Sequence, residues 1–266
     1  MLANGALPTT QNVLQATAPS LRELWLSYAE APVLDHWLEY AEHYERHFPH
    51  PVDGQPRKML EIGVQSGGSA RSWRQYYGPS LTYVGIDINA PCKRTENVAE
   101  SIFVEIGSQL NGTFLADVCE RHGPFDMVVD DGGHSHNMMQ FTVESLFSNP
   151  SCLSAGAVYA IEDMHTMAMC ARGYCDTPSQ IYNIVGRAFG GMHAHWFAAS
   201  QRHDPAPSPW ARAVRSIALY DSMAFFTKGA PIERLTRVIR GTDRLPYGPG
   251  DAASRRENPT AESAAA

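Results

Sequence analysis

The 266-residue sequence contains no apolar run near the roughly 20 residues that cross a bilayer, so no transmembrane helix and no membrane partner are expected. Basic residues are the minority. Against 28 Asp and Glu there are 21 Lys and Arg, a formal charge of −7. That deficit argues against a nucleic-acid partner held by a basic surface. Cysteine is scarce: Cys92, Cys119, Cys152, Cys170 and Cys175 are odd in number and irregularly spaced, with no C-x-x-C pair, so a structural zinc site is not expected. Cys170 and Cys175 lie close enough in sequence to pair, but a reduced thiol set in a cytoplasmic protein is the expectation. The opening residues MLANGALPTTQNVLQ lack a basic stretch and a long apolar stretch, so no secretory signal is read there.

What is present is an ordinary globular composition, 44% hydrophobic and 18% charged. The length suits one α/β domain with additions at its ends. Residues 1–56 read as an arm and helices, 57–240 as the main domain, and 241–266 as a disordered tail rich in Gly, Pro, Ser and Ala. Within the first segment, Leu21, Leu24, Trp25 and Tyr28 fall at helical spacing. A second stripe follows from Leu34 through Trp37, Leu38, Ala41 and Tyr44 to Phe48. This pair of helices is read as a cap over a cleft, an oligomer contact or core packing, so a homo-oligomer stays open. Trp25, Trp37 and Tyr40 are assigned to the core.

From residue 58 strands alternate with helices: strands at 58–62, 81–86, 101–106, 125–129 and 157–161, helices at 69–77, 110–121 and 137–147. A helix is expected over 177–190 and a short one over 231–240. Val214–Leu219 and Met223–Thr227, split by Asp221-Ser222, form a closing antiparallel hairpin. The fold class is α/β, a doubly wound, Rossmann-like sheet. Ligands of such sheets bind at the carboxyl ends of the strands.

Two groups of residues fall at those ends. The turn Glu61-Ile-Gly63-Val-Gln-Ser66-Gly67-Gly68-Ser69 follows the first strand and opens a helix. It has neither the G-x-G-x-x-G spacing of a dinucleotide site nor the Lys of a phosphate loop. Glu61 would repel a pyrophosphate but suits a cationic amino group. Asp87, 26 residues on, is placed for two ribose hydroxyls. Ribose, no phosphate and a positive amino-acid tail together describe S-adenosylmethionine (SAM).

The second group is Asp130-Asp131-Gly-Gly-His134 after the fourth strand and Glu162-Asp163 after the fifth. Neighbouring strands bring Asp131, Glu162 and Asp163 to one rim, where carboxylates repel unless a cation sits between them. Oxygen donors suit Mg²⁺, with Mn²⁺ or Ca²⁺ as alternatives. His134 titrates near neutrality and suits a general base for a hydroxyl. The Gly pair before it leaves room for a substrate. His165 is read as surface or packing.

These motifs, with Ser216–Lys228 as the closing hairpin, resemble the metal-dependent sugar O-methyltransferases of the macrocin and mycinamicin type, related to the cephalosporin hydroxylase-like group. The resemblance covers about residues 35–230. It implies the seven-stranded sheet of class I methyltransferases, with the N-terminal helices as an addition. Asp131, Glu162 and Asp163 would be metal ligands, and His134, with Asp131, catalytic. The candidate cofactor contacts are Glu61, Gly63, Ser66, Gly67, Ser69, Asp87, Ser108, Gln109 and Asp130. Gly107-Ser108-Gln109 stands where the family has Gly-Asp-Gln, so the acid on the adenine side is missing, and Gly133 stands where Ser is common. The implied reaction is methyl transfer from SAM, with Mg²⁺, to a hydroxyl of a small molecule such as a sugar. The rival readings are a hydroxylase or oxidoreductase, which would need two histidines at the rim, and a non-catalytic SAM-binding partner subunit.

Overall fold

Alternation along the strands decides the layers. In β1 (Arg57–Ile62), Leu60 and Ile62 point to one face of the sheet and Met59 to the other. The same parity runs through β2 (Leu81–Asp87), β3 (Ile102–Ile106), β4 (Phe125–Asp130) and β5 (Leu153–Ile161). The computed structural model describes residues 19–29, 31–48, 50, 54–177, 180–194 and 208–229. The expected arm over most of 1–20, the helix over 231–240 and the tail over 241–266 lie outside the described residues.

The sheet has seven strands in the order β3-β2-β1-β4-β5-β7-β6, the last two being β6 (Val214–Tyr220) and β7 (Met223–Lys228). β1 to β5 run parallel, and β7 is antiparallel to both β5 and β6. This is the seven-stranded order with a closing antiparallel hairpin that the resemblance implied. One face packs on α4 (Gly112–His122), α5 (His136–Phe147) and α6 (Ile181–Met192) through Leu115, Val118, Met139, Val143, Ile184 and Ala188. The other packs on α1 (Leu21–Ser27), α2 (Tyr40–His47) and α3 (Gly68–Tyr77) through Leu21, Ala41, Tyr44, Ala70 and Trp73. The order reverses between β1 and β4, and a crevice opens there at the carboxyl ends.

Several expectations are corrected. The second N-terminal helix is only α2, and residues 33–37 are an irregular stretch. This stretch crosses the start of α3 so closely that a Cβ on Gly68 would stand 2.2 Å from the Val33 carbonyl oxygen. Tertiary contact thus overrides the helical spacing of Leu34, Trp37 and Leu38. Strand β5 begins at Leu153 rather than 157, because Leu153 pairs with Phe125 before a register shift. Helix α6 begins at Ile181 and runs to Met192. The thiols are not all reduced: Cys119 is bonded to Cys152 and Cys170 to Cys175, leaving Cys92 as a buried thiol. The last turn of α4 lies beside the lead into β5, which sequence separation concealed. The pairing removes the cysteine-based reason for a reducing compartment. Among the described residues no helix is long and apolar enough to cross a membrane.

Candidate active site

A cavity of about 790 Å³ opens at the crevice. Its wall includes Gly63, Ser66 and Ser69 of the first turn, Asp87 from β2, Asp131, Gly132 and His134 after β4, and Glu162 and Asp163 after β5. Gly67 opens α3 in a left-handed conformation (φ +88°), tight against Thr95. Gly63 is required where it stands. Its φ is +95°, and a Cβ there would lie 2.0 Å from the Asp131 carbonyl oxygen. The close approach is between two loops of the protein.

The acids of the first turn have partners within the protein. Glu61 shares the parity of Met59 and faces α3. It is fully buried and accepts hydrogen bonds from Ser69 Oγ (2.6 Å) and from the Tyr83 hydroxyl. Burial pushes its carboxyl up to about 7. It does not line the cavity, which differs from the expected direct contact with a cationic tail. Asp87 does line it, with Oδ2 accepting from the Val64 and Gln65 amides (2.9 and 3.0 Å) and Oδ1 from the Asn89 amide (2.8 Å). The Cys92 thiol also hydrogen-bonds to Asp87, so the protein itself takes up most of the roughly four acceptor positions of this carboxylate, short of the expected grip on two ribose hydroxyls.

Asp130, Gln109 and Ser108 also stand back from the cavity wall. Asp130 has the parity of Val128 and therefore points to the α4–α6 face. It is buried, accepts from the Tyr159 hydroxyl (2.8 Å), and burial pushes it up to about 7. Gln109 Nε2 donates to Thr142 (3.0 Å) and its Oε1 accepts from the Gly133 amide (2.8 Å). Ser108 Oγ accepts from the Leu110 amide (3.2 Å). The Gly pair is corrected in the same way. A Cβ on Gly132 would meet Gln109 Oε1 at 2.4 Å, and one on Gly133 would meet Met138 Sδ at 2.1 Å. These glycines make room for Gln109 and Met138, and of the pair only Gly132 borders the cavity.

The rim beyond β4 and β5 is different. Donor atoms of Asp131, His134 and Asp163 lie within 4.8 Å of one another, and so do those of His36, Asp131 and Glu162. Asp131 belongs to both groups. His134 Nε2 is 3.6 Å from Asp131 Oδ1 and 4.0 Å from Asp163 Oδ2. Among the described residues, neither Lys nor Arg pairs with any of the three acids. Burial and the charge of Glu162 hold Asp131 well above the ordinary carboxylate range. Burial, with the charges of Glu61 and Asp163, pushes Glu162 up to about 8. His134 and Asp163 both sit at φ +53°, a conformation uncommon for residues with side chains. Thr166 Oγ1 lies 2.8 Å from the His134 carbonyl oxygen and 2.7 Å from that of Asp163, tying the two loops together.

The N-terminal segment completes the site, and here the sequence reading fell short. The Tyr40 hydroxyl donates to Asp163 Oδ1 (2.8 Å), and the Tyr44 hydroxyl donates to Glu162 Oε1. Val33, Asp35, His36 and Trp37 line the cavity. Trp37 is 59% exposed, not a core residue, whereas Tyr40 is buried. Trp25 is partly buried, and its Nε1 donates to Ser72 Oγ (2.7 Å). The only sequence signal was the four-residue spacing of His36, Tyr40 and Tyr44, and the irregular stretch at 33–37 breaks the helix that would have given it meaning. His165 stands 3.9 Å from Asp163 Oδ1, within reach of the rim.

The donor set fits a divalent cation, since carboxylates and an imidazole converge and, among the described residues, neither Lys nor Arg forms an ion pair with those acids. The glycine turn, Ser66 and the Asp87 carboxylate on the cavity wall fit a ribose-bearing donor.

No family model matches the chain. A curated Streptomyces olivaceus protein, 8-demethyl-8-(2-methoxy-alpha-L-rhamnosyl)-tetracenomycin-C 3'-O-methyltransferase, is 35% identical over 206 residues, 73% of this chain and 50% of its own length. Mycinamicin VI 2''-O-methyltransferase of Micromonospora griseorubida is 30% identical over 206 residues, 73% of this chain and 48% of its own. The MycE methyltransferase of the mycinamycin pathway, solved with Mg and SAH, superposes with a TM-score of 0.67 at 27% identity, covering 80% of this chain and 55% of MycE. A second MycE structure, with Mg, SAH and mycinamycin VI, gives 0.63 at 29% identity over 79% and 54%. The chain spans about half the length of the curated relatives it matches.

Proposed function

We propose that this chain, a relative of the tetracenomycin and mycinamicin sugar O-methyltransferases with the class I methyltransferase fold, is itself a SAM- and Mg²⁺-dependent O-methyltransferase. The acceptor is a hydroxyl of a small molecule, with sugars of natural products as the favoured class. One observation carries the reading: His134 meets Asp131 and Asp163 on the wall of the cavity that also holds the glycine turn and Asp87.

When bound, SAM supplies a methyl group on a sulfonium, and the divalent ion supplies positive charge at the acceptor oxygen. Asp131, Glu162 and Asp163 would hold that ion. Gly63, Ser66, Gly67, Ser69 and Asp87 would seat the donor, with Glu61, Gln109 and Asp130 fixing the loops behind them. His134 takes the acceptor's hydroxyl proton. The oxygen's electron pair then bonds to the methyl carbon while the carbon–sulfur pair returns to sulfur. Fixing both reactants in one cavity supplies much of the rate. The described part of the proposed catalytic domain ends at residue 229, and residues 33–44 add cavity wall and two hydroxyl donors, so the N-terminal segment is part of the site.

Calorimetry with SAM in Mg²⁺, followed by a mass-spectrometric screen over hydroxylated acceptors, tests the reading. Heat with SAM and a methylated product that disappears in EDTA are expected. Absence of heat with SAM overturns it.

A further inference from the structure

His36 is unexplained by the mechanism above. Its side chain is 4% exposed, and its Nδ1 has no hydrogen-bond partner. A buried polar atom left unpaired costs free energy and points to a missing partner. The nearest carboxylate oxygen, Glu162 Oε2, is 3.9 Å away, too far for a hydrogen bond. That spacing is close to the separation of two donors sharing one ion, which is about 3 to 4 Å for bonds of roughly 2.1 Å. The ring is held for such a role. It stacks on Trp25 at 4.6 Å between centroids and 12° between planes, and Trp25 is itself anchored on Ser72. The stacking fixes the plane of the ring, as a ligand position requires.

We propose that His36 is a nitrogen ligand of the divalent ion held at Asp131 and Glu162. The inference rests on the metal reading of the rim given above and deepens it. It places a ligand in the segment ahead of the first strand, in the donor group that shares Asp131 with the His134 group but does not include His134. It also changes the expected ion preference. Carboxylates alone suit Mg²⁺, whereas an imidazole shifts affinity toward Mn²⁺ and Co²⁺.

The test loads the full chain with Mn²⁺ and reads nitrogen coupling by pulsed electron paramagnetic resonance, with Mn²⁺ and Mg²⁺ affinities measured alongside. Coupling is expected in the wild type and in the His134→Ala, His165→Ala double variant. His36→Phe keeps a ring against Trp25 and removes the nitrogen. It should lose the coupling and weaken Mn²⁺ roughly tenfold or more, with Mg²⁺ changed much less. Absence of coupling in the wild type overturns the proposal, as does coupling that persists in His36→Phe. If His36→Phe does not fold, the double variant decides: loss of coupling there assigns the nitrogen elsewhere. If the wild type binds neither ion, the metal reading falls as well. If it binds both equally without nitrogen coupling, His36 alone falls.

Discussion

The carboxylates at the ends of β1 and β2 and those just after β4 and β5 lie at the same end of one sheet, yet the fold uses their oxygens differently. Asp87 accepts three backbone amides, and Glu61 accepts two side-chain hydroxyls. Asp131, Glu162 and Asp163 have tyrosines and histidines near them, and among the described residues no Lys or Arg forms an ion pair with them. Position at a strand end therefore does not make an acid a ligand-binding group. What matters is whether the fold has already used its oxygens. The first region uses its acids to shape a turn, and the second gathers acids that lack a Lys or Arg partner among the described residues and are raised by burial and mutual repulsion, a state that a bound ion would relieve.

The sharpest way to break this comparison is at the base. His134→Ala should lower kcat by roughly 10²- to 10⁴-fold, while calorimetric SAM affinity stays within about twofold. Turnover near the wild-type value would remove His134 from the mechanism.

The next effect is a pH slope from the first region. Glu61 stays protonated in the fold up to about pH 7, whereas its ordinary value is 4.5. The folded state therefore holds the extra proton between those values, and stability falls as pH rises through them, by on the order of 3 kcal/mol. Asp130, also raised to about 7, adds in the same direction. Thermal melts in EDTA should show this fall, and Glu61→Gln should flatten part of it. A variant slope identical to the wild type would contradict the assignment.

The smallest effect sets the two regions directly against each other. At pH 8 in EDTA, Asp87→Asn should cost about 1 to 3 kcal/mol, because three amides lose a charged acceptor. Asp131→Asn should instead raise stability, because it removes a buried carboxyl that burial and the neighbouring acids make harder to ionise in the fold than in the unfolded chain. Urea melts giving both changes the same sign would erase the distinction.

Much of this was legible in the residues. The alternation of β1 to β5 with helices, the closing hairpin around Asp221-Ser222, and the meeting of Asp131 with Glu162-Asp163 follow from local pattern and strand adjacency. The failures share one cause. Leu34–Phe48 carries a helical stripe, but its first part is laid against α3 as irregular chain. The Gly pair reads as open space, but Gln109 and Met138 fill it. Cys119 and Cys152 are 33 residues apart and adjacent in space.

By itself the sequence determined which residue types reach the carboxyl end of the sheet, because strand period and the points where apolar runs stop are local properties. Only the tertiary structure decided which of those acids are free. That depends on strand parity, which turns Asp130 away from Glu162, and on partners far along the chain. Tyr40 reaches Asp163 across 123 positions and Tyr44 reaches Glu162 across 118. No local pattern carries a contact of that range, and packing of the N-terminal segment onto the sheet creates it.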